Sequence, residues 1–448
     1  MSDDRSTPLA TPAERAAAAR LEFRPVAARL ASEVVSDVSP FDPGKPLTAL
    51  AEWFIDGAGG RVAVVVGSHE AVEAMDAVLA YALAWQGDRD LVLVLPETHA
   101  DPTLRRLPWV ATPIRVFTYG PELVPHPAVV PARYAVLDAA AQLGLRSTSE
   151  HDLGDAAELV EAVTAWADQH WALVPAHRST YRAWHCAGRQ VLTLRRSGGG
   201  ARIVAGVAYR KAMPPGEERP LELTVTPADA LTSTTRSWIE ARVSTAVWKR
   251  LAGYDKGHIE HRLQASLAAT GLAGLGVDRF AREYPAWRGA GRPGFIDFLA
   301  ADRRNQLHVV ETKVDPDDVT VVVQALDYAT WVTANGTAIR AERGWPDPTG
   351  DERVILDFVC APRIDRNDHT GSPAGKGVAI GPYLAGQLEA LAGEMQWRTS
   401  IVSDPIAQPP DMSKPTWRTI PRSGPLVAAP VQPSRWFSRI QTDLIVAS

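Results

Sequence analysis

The chain has 448 residues, 47 Lys or Arg against 52 Asp or Glu, and a formal net charge of −5, so it is long enough for two or three domains with separate cores. Two cysteines, Cys186 and Cys360, are too few for a disulfide scaffold and too far apart in sequence to suggest a metal pair. No run approaches the roughly 20 apolar residues of a membrane helix. The charged N-terminus does not resemble a secretion signal, and we expect a soluble, cytoplasmic protein with no membrane partner.

Residues 1–48 are predicted to be a helical or flexible segment, and 49–175 a Rossmann-like α/β domain. Apolar runs at 61–68, 90–97 and 114–120 alternate with helical sequence, a pattern typical of a parallel sheet. Ser68 would end the first strand. Because no glycine-rich phosphate motif follows that strand, capping of the next helix by Ser68 is favoured over a nucleotide-phosphate site.

Residues 176–250 read as a small antiparallel β region followed by a connecting helix. Strand-like segments at 180–188, 189–210 and 221–225 predict a meander, with a loose turn at Gly198–Gly200. The helix is predicted over 228–252. Basic and aromatic side chains on these strands suit either a nucleic-acid face or ordinary strand exteriors and core.

Residues 294–314 carry the strongest chemical signal, because they place three polar groups on an apolar hairpin. If the turn is centred on Arg304, Asp297 lies opposite Glu311 and shares a face of the sheet with it. Opposed carboxylates repel, and a cation between them removes the conflict. Oxygen ligands of this kind suit Mg²⁺ or Mn²⁺, which we expect as the cofactor.

Lys313 lies two residues beyond Glu311, so strand alternation places it on the carboxylate side. An ammonium group there can orient an attacking water or stabilise negative charge on a phosphorane-like transition state. A bound metal would lower the pKa of that water and polarise the phosphate. The three groups together predict hydrolysis of a phosphodiester.

The order of these residues resembles that of the PD-(D/E)xK superfamily of restriction-endonuclease-like nucleases, and most of all the catalytic module of NucS-like endonucleases. The resemblance covers roughly residues 255–404, and Ile296 stands where the name has Pro. It implies an αβββαβ module over 251–404, Glu260 as an outer or second-metal carboxylate, and Gln324 as support for the lysine or the water. The implied catalytic residues are Asp297, Glu311, Lys313, Glu260 and Gln324, of which Asp297, Glu311 and Glu260 would bind metal.

The elements after the hairpin complete the predicted module. A helix carries Gln324, Tyr328 and Trp331 at i, i+4, i+7 spacing, and the two aromatic residues are interpreted as core. A strand follows at 352–362, an amphipathic helix at 381–395 and a last strand at 397–403. Residues 405–448 are predicted to form a proline-rich arm that lacks periodicity.

A basic segment overlaps the hairpin and indicates a nucleic-acid groove. Residues 236–304 hold twelve Lys or Arg against seven Asp or Glu, a local net charge of +5 in an acidic chain. Basic side chains near a carboxylate site can neutralise phosphates and release counterions. Arg303 and Arg304, at the turn, are less favoured as phosphate contacts. The candidate nucleic-acid-binding residues are Lys256, Arg262, Arg288 and Arg292.

The sequence therefore predicts a Mg-dependent DNA endonuclease, and the resemblance associates it with defence against foreign DNA or with DNA repair. RNA is not excluded as a substrate, and a homodimer is the default expectation. Two alternatives stay open. One is a nuclease activated by a small molecule or protein, with a nucleotide-sensing N-terminal domain. The other is a DNA-binding protein with a nuclease-like fold that no longer cuts.

Overall fold

The computed structural model has a mixed α/β architecture, and its backbone contacts divide the chain into two compact units. The first unit comprises 1–138, 317–327 and 381–395, and the second comprises 139–316, 328–380 and 396–448. The described residues are 12–41, 51–57, 59–68, 72–146, 157–170, 173–178, 181–186, 189–197, 200–207, 219–225, 233–252, 260, 263–264, 267–268, 271–314, 319–361, 382–402 and 417–418.

The first unit is built on a six-stranded mixed sheet whose strands lie side by side in chain order. The strands are β1 (Val38–Pro40), β2 (Ala51–Asp56), β3 (Val62–Gly67), β4 (Asp90–Pro96), β5 (Ile114–Tyr119) and β6 (Pro125–Pro127). The central strands β3, β4 and β5 are parallel, β2 and β6 pair antiparallel with them, and β1 pairs antiparallel with β2.

Continuous apolar sequence in the central strands is explained by burial on both faces of this sheet. Along β3, Val64 and Val66 pack on one face with Leu30 of the helix α1 (Pro12–Val34). Val65 points to the opposite face, where the helix α2 (Val72–Trp85) contributes Leu79. Alternate residues of the strand therefore pack into two separate hydrophobic cores, one on each face of the sheet.

The predicted parallel arrangement is confirmed for β3, β4 and β5, and the structure adds β1, β2 and β6, which pair antiparallel at the two edges. The described strands show no reversal of strand order, and such a reversal creates the ligand crevice of doubly wound folds. The predicted cap is not observed either. The Ser68 hydroxyl is buried and has no hydrogen-bond partner among the described residues.

The first unit also contains three shorter helices and the start of a long one. The short helices are α3 (Asp101–Arg106), α4 (Arg133–Gln142), which continues into the second unit, and α8 (Pro382–Glu389), which packs on α2. The helix predicted over 381–395 is therefore shorter and belongs to the first unit. Close packing on α2 requires Gly386, since a Cβ there would lie 2.8 Å from the Ala84 carbonyl oxygen.

The second unit begins with the predicted antiparallel meander, which is confirmed, packed against two helices. Trp184, fully buried, anchors the core between sheet and helices. The connecting helix predicted over 228–252 is described from Ser233 to Ala252, and residues 228–232 lie outside the described residues. The elements are α5 (Ala157–Gln169), β7 (Val174–Arg178), β8 (Tyr181–Cys186), β9 (Arg189–Ser197), β10 (Gly200–Ala205), β11 (Leu221–Val225) and α6 (Ser233–Ala252).

A second sheet in this unit carries the predicted hairpin. Its first three strands are antiparallel, the next two add in parallel, and the last pairs antiparallel. The strands are β12 (Val277–Arg288), β13 (Arg292–Asp302), β14 (Leu307–Lys313), β15 (Val354–Cys360), β16 (Gln396–Val402) and β17 (Trp417–Arg418). Strand β17 is the described part of the predicted C-terminal arm.

The helix α7 (Val321–Arg343) connects β14 to β15 and provides the crossover that parallel neighbours require. From Tyr328 onward it belongs to the second unit. Tyr328 and Trp331 are buried, as predicted for core residues. Both cysteines are free and buried. Among the described helices, none has the length and apolar character needed to span a bilayer.

Candidate functional site

The register of the β13–β14 hairpin is determined by its turn. The Asp302 carboxylate accepts hydrogen bonds from the backbone N–H groups of Arg304 and Gln306, both at 2.9 Å, and Asn305 takes a left-handed conformation at φ 60°. Asn tolerates that conformation better than most residues. Pairing then runs outward to Phe298 opposite Val310, and the next residues along are Asp297 and Glu311. The predicted register is confirmed.

The ladder opens at the position of Asp297. Backbone pairing of β13 with β14 ends at Phe298, and the pairing of β12 with β13 skips Glu283, which takes a left-handed φ of 52° opposite Asp297. The backbone N–H of Thr312 donates instead to Asp297 Oδ2, at 2.8 Å. A side-chain carboxylate thus accepts a strand hydrogen bond and is held against β14.

Glu311 lies at the same end of β14 and is almost completely buried. Its Oε1 atom has no hydrogen-bond partner among the described residues. Burial raises the pKa of Glu311 well above its ordinary value, and the charges of Asp297 and Glu260 raise it further, whereas Lys313 and Arg288 lower it. A buried carboxylate oxygen without a partner is costly, so this position favours either a proton or a cation.

Lys313 and Glu260 lie together beside these two carboxylates. The Lys313 Nζ atom is 3.4 Å from Glu260 Oε1, and the lysine side chain is mostly buried while Glu260 is partly exposed. Both residues act electrostatically on Glu311. The structure therefore brings Asp297, Glu311, Lys313 and Glu260 into one group, with Glu260 paired to the lysine.

Tyr328 and Arg288 extend this group. The Tyr328 hydroxyl accepts a hydrogen bond from the Phe295 backbone N–H at 3.1 Å. Burial and then the charge of Glu311 raise the pKa of Tyr328, and Arg288 acts in the opposite direction. The approach depends on Gly294, since a Cβ there would lie 2.9 Å from both Tyr328 Cε1 and Arg288 Cγ. Tyr328 is thus both a core residue, as predicted, and a neighbour of the carboxylates.

Arg146, which no sequence pattern indicated, lies against strands β12 and β13. Its guanidinium donates to the Gly294 carbonyl oxygen at 2.6 Å and lies 5.2 Å and 5.1 Å from the ring centres of Trp287 and Phe295. Burial lowers its pKa, and the neighbouring Tyr328 opposes that shift. Arg146 precedes the hairpin by about 150 residues, so no local pattern in the sequence could link the two.

The other residues predicted for the site either make their described contacts elsewhere or lie outside the described residues. Gln324 belongs to the first unit, where its amide donates to the Thr320 hydroxyl at 3.0 Å. Arg292 donates to the Gly289 carbonyl oxygen at 3.4 Å, within the connection between β12 and β13. Lys256 and Arg262 lie outside the described residues.

The fit of this group to a metal ion depends on Asp297 and Glu311. Nowhere in the described ranges do three or more His, Cys, Asp or Glu side chains form a group that could hold a metal. Mg²⁺ commonly takes only one or two protein carboxylates and completes its shell with waters and phosphate oxygens. A pair of carboxylates with one buried, unpartnered oxygen fits that requirement.

Comparison of this chain with models of known protein families, with curated proteins and with solved structures gave no match. The site is therefore described by its own geometry. It consists of two adjacent carboxylates, a mostly buried lysine, a buried tyrosine and an arginine around the open end of a hairpin.

Proposed function

We propose that this protein is a metal-dependent nuclease that hydrolyses phosphodiester bonds in DNA, with Asp297 and Glu311 binding Mg²⁺ or Mn²⁺. The observation that carries the proposal is the Glu311 carboxylate, which is buried beside Asp297 and whose Oε1 atom has no hydrogen-bond partner among the described residues. Two carboxylates held together in this way are destabilising unless a proton or cation neutralises them.

A bound divalent cation would polarise the scissile phosphate and lower the pKa of a bound water. Lys313 supplies a positive charge next to Glu311 that stabilises negative charge developing on phosphate oxygens. In hydrolysis the water oxygen forms the new P–O bond, its proton goes to solvent or to a neighbouring base, and the leaving oxygen departs protonated. Glu260, which pairs with Lys313, holds the ammonium in place.

Arg288 would bind the substrate backbone. Its charge acts on both Glu311 and Tyr328, so it lies close enough to neutralise a phosphate that reaches the carboxylates. A resemblance to PD-(D/E)xK nucleases, in the order Asp297, Glu311, Lys313, is consistent with this assignment. Duplex DNA is the proposed substrate, and single-stranded DNA and RNA are the competing substrates to compare.

The test is cleavage of supercoiled plasmid, linear duplex, single-stranded DNA and RNA by the full chain in Mg²⁺, Mn²⁺ or EDTA. Glu311→Gln, which removes the charge with little change in shape, is compared with Glu222→Gln at an exposed carboxylate of the meander. We expect metal-dependent cutting by the parent and by Glu222→Gln, and none by Glu311→Gln.

Equal cutting by Glu311→Gln would contradict the assignment of the carboxylates. Binding of DNA without cutting in any metal would instead indicate a DNA-binding protein that has kept a nuclease-like hairpin.

A further inference from the structure

Thr312 connects the candidate metal site to a buried chain of hydrogen bonds. Its hydroxyl lies 2.6 Å from Asp297 Oδ2, the same oxygen that accepts the Thr312 backbone N–H. On the other side, the Gln264 amide nitrogen lies 3.1 Å from the Thr312 hydroxyl oxygen. Arg282 in turn lies 3.0 Å from the Gln264 amide oxygen. Thr312, Gln264 and Arg282 are all buried.

The direction of these hydrogen bonds follows from the donors available. A guanidinium can only donate, so Arg282 fixes the oxygen of the Gln264 amide toward itself and turns the amide nitrogen toward Thr312. The Thr312 oxygen accepts from that amide, which leaves its single proton for Asp297. The three hydrogen bonds in this series therefore all run in one direction, from Arg282 toward Asp297 Oδ2.

This arrangement gives the two carboxylate oxygens of Asp297 different tasks. Within the described residues, the hydrogen bonds that Asp297 accepts all end on Oδ2. The geometry fixes the rotation of the carboxylate and leaves Oδ1 as the oxygen for a cation. Partners that orient a metal ligand in this way commonly change metal affinity by 10- to 100-fold when removed.

We propose that Thr312 is a positioning residue for Asp297, supported by Gln264 and Arg282, and that it orients one oxygen of Asp297 for Mg²⁺ or Mn²⁺. The inference rests on the proposed nuclease site. It assigns a role to the residue between Glu311 and Lys313, a position whose side chain lies on the opposite face of β14 from Glu311.

The experiment measures Mn²⁺ binding to the full chain by electron paramagnetic resonance, without nucleic acid. Thr312→Val keeps the shape and removes the hydroxyl, and Thr312→Ser keeps the hydroxyl and removes the methyl group. We expect the Mn²⁺ dissociation constant to rise about 10- to 100-fold in Thr312→Val and to stay within about twofold of the parent in Thr312→Ser. If Thr312 had a purely structural role, Mn²⁺ binding would weaken in both variants in proportion to their loss of stability.

A second variant keeps the test decisive if Thr312→Val does not fold. Gln264→Met removes the amide that donates to Thr312 with little change in length, and we expect a smaller rise in the dissociation constant, by about three- to tenfold.

Unchanged Mn²⁺ affinity in folded Thr312→Val, beside a parent that binds Mn²⁺, would overturn the positioning role alone. Unchanged affinity in Gln264→Met would do the same if that variant is the one that folds. A parent that binds no Mn²⁺ would overturn both this role and the metal site on which it rests.

Discussion

The two ends of strand β14 both bury charged side chains, and they do so in opposite ways. At the start of the strand, His308 Nδ1 lies 2.7 Å from Asp357 Oδ2, and Arg398 holds the same carboxylate through bonds of 2.5 Å and 2.9 Å. Asp302 lies 3.6 Å from the other nitrogen of His308. This cluster, which we call the His308 cluster, balances two basic side chains, His308 and Arg398, against two carboxylates, Asp302 and Asp357.

At the far end, Asp297 and Glu311 place two carboxylates together, and the buried Oε1 atom of Glu311 has no partner in the part of the chain that the structure describes. Lys313 lies beside them but is shared with Glu260. The pKa shifts reflect the contrast, because Asp357 has a pKa of about 2, despite burial that acts to raise it, whereas the pKa of Glu311 is raised. We interpret the end with balanced charge as structural, and we propose that the end with excess negative charge binds a cation.

The largest expected effect comes from Glu311→Gln, which removes one of the two adjacent carboxylate charges. We expect cleavage to fall more than about 100-fold, since loss of even an indirect ligand partner costs 10- to 100-fold in metal affinity. Metal-free stability should rise at pH 8, because the raised pKa of Glu311 costs stability above its ordinary value and glutamine does not titrate. Thermal unfolding and plasmid cleavage measure the two effects. A fall in stability that matches the fall in activity would mark Glu311 as structural.

The His308 cluster should respond in the opposite way to loss of one member. Asp357→Asn leaves Arg398 and His308 without their shared anion, and breaking a buried pair in this way costs about 3–5 kcal/mol. Urea unfolding measures the loss. Cleavage by the fraction that remains folded should be close to that of the parent. A specific loss of cleavage in folded Asp357→Asn would show that the two ends of β14 are not independent.

Lys313→Met tests the only cation on β14 beside Glu311. We expect the single-turnover cleavage rate to fall about 10²- to 10³-fold, the usual cost of losing one group that stabilises transition-state charge. Binding of Mn²⁺ should persist, because the carboxylates remain. Normal cleavage by this variant would remove the lysine from the proposed chemistry.

Each end of β14 contains a group whose pKa is raised, so stability should fall at both ends as pH rises, and Mg²⁺ distinguishes the two contributions. His308 stabilises the fold below its unfolded pKa of 6.5, and that stability is lost as pH rises through the higher folded value. Glu311 likewise costs stability as pH rises above 4.5 toward its raised value. Mg²⁺ should restore only the stability that is lost through Glu311. Melting curves from pH 5 to pH 9, with and without Mg²⁺, test this, and no Mg²⁺ effect in Glu311→Gln is the control.

The smallest effect is expected from Arg288→Ala. Loss of one phosphate contact should weaken binding of all DNA sequences alike and reduce the magnitude of the salt slope by about 1. Arg303→Ala is the matched control, because Arg303 is 89% exposed at the hairpin turn. Fluorescence anisotropy at several salt concentrations measures both. Equal effects of the two changes would place the DNA elsewhere on the surface.

Sequence patterns predicted the parts of this fold that depend on local chemistry. Strand alternation and the Asp302 turn were sufficient to place Asp297 opposite Glu311. The burial of Glu311 and the left-handed Glu283 depend on neighbouring strands, and no single segment reveals them. The antiparallel strands at the two edges of the first sheet were also beyond the pattern, because β1 and β6 have three residues each, mostly exposed, and carry no apolar run.

Some site residues were equally hidden from sequence. Thr312 shares a strand face with Val310 and Val314, where a buried hydroxyl requires a partner, and that is the one signal its position carries. Gln324 follows the expected order of residues, yet its described hydrogen bond is local, to Thr320. The order of residues along the chain therefore predicted which residue types are present, but it did not predict which contacts they make.

Binding of Mn²⁺ by the full chain, compared directly with Glu311→Gln at pH 8, tests the central claim without requiring the correct nucleic acid. We predict Mn²⁺ binding by the parent and its loss in the variant, because Glu311 supplies one of the two carboxylates of the proposed site. Identical binding by the two proteins, or none by the parent, would contradict the assignment of this end of β14 as a metal site.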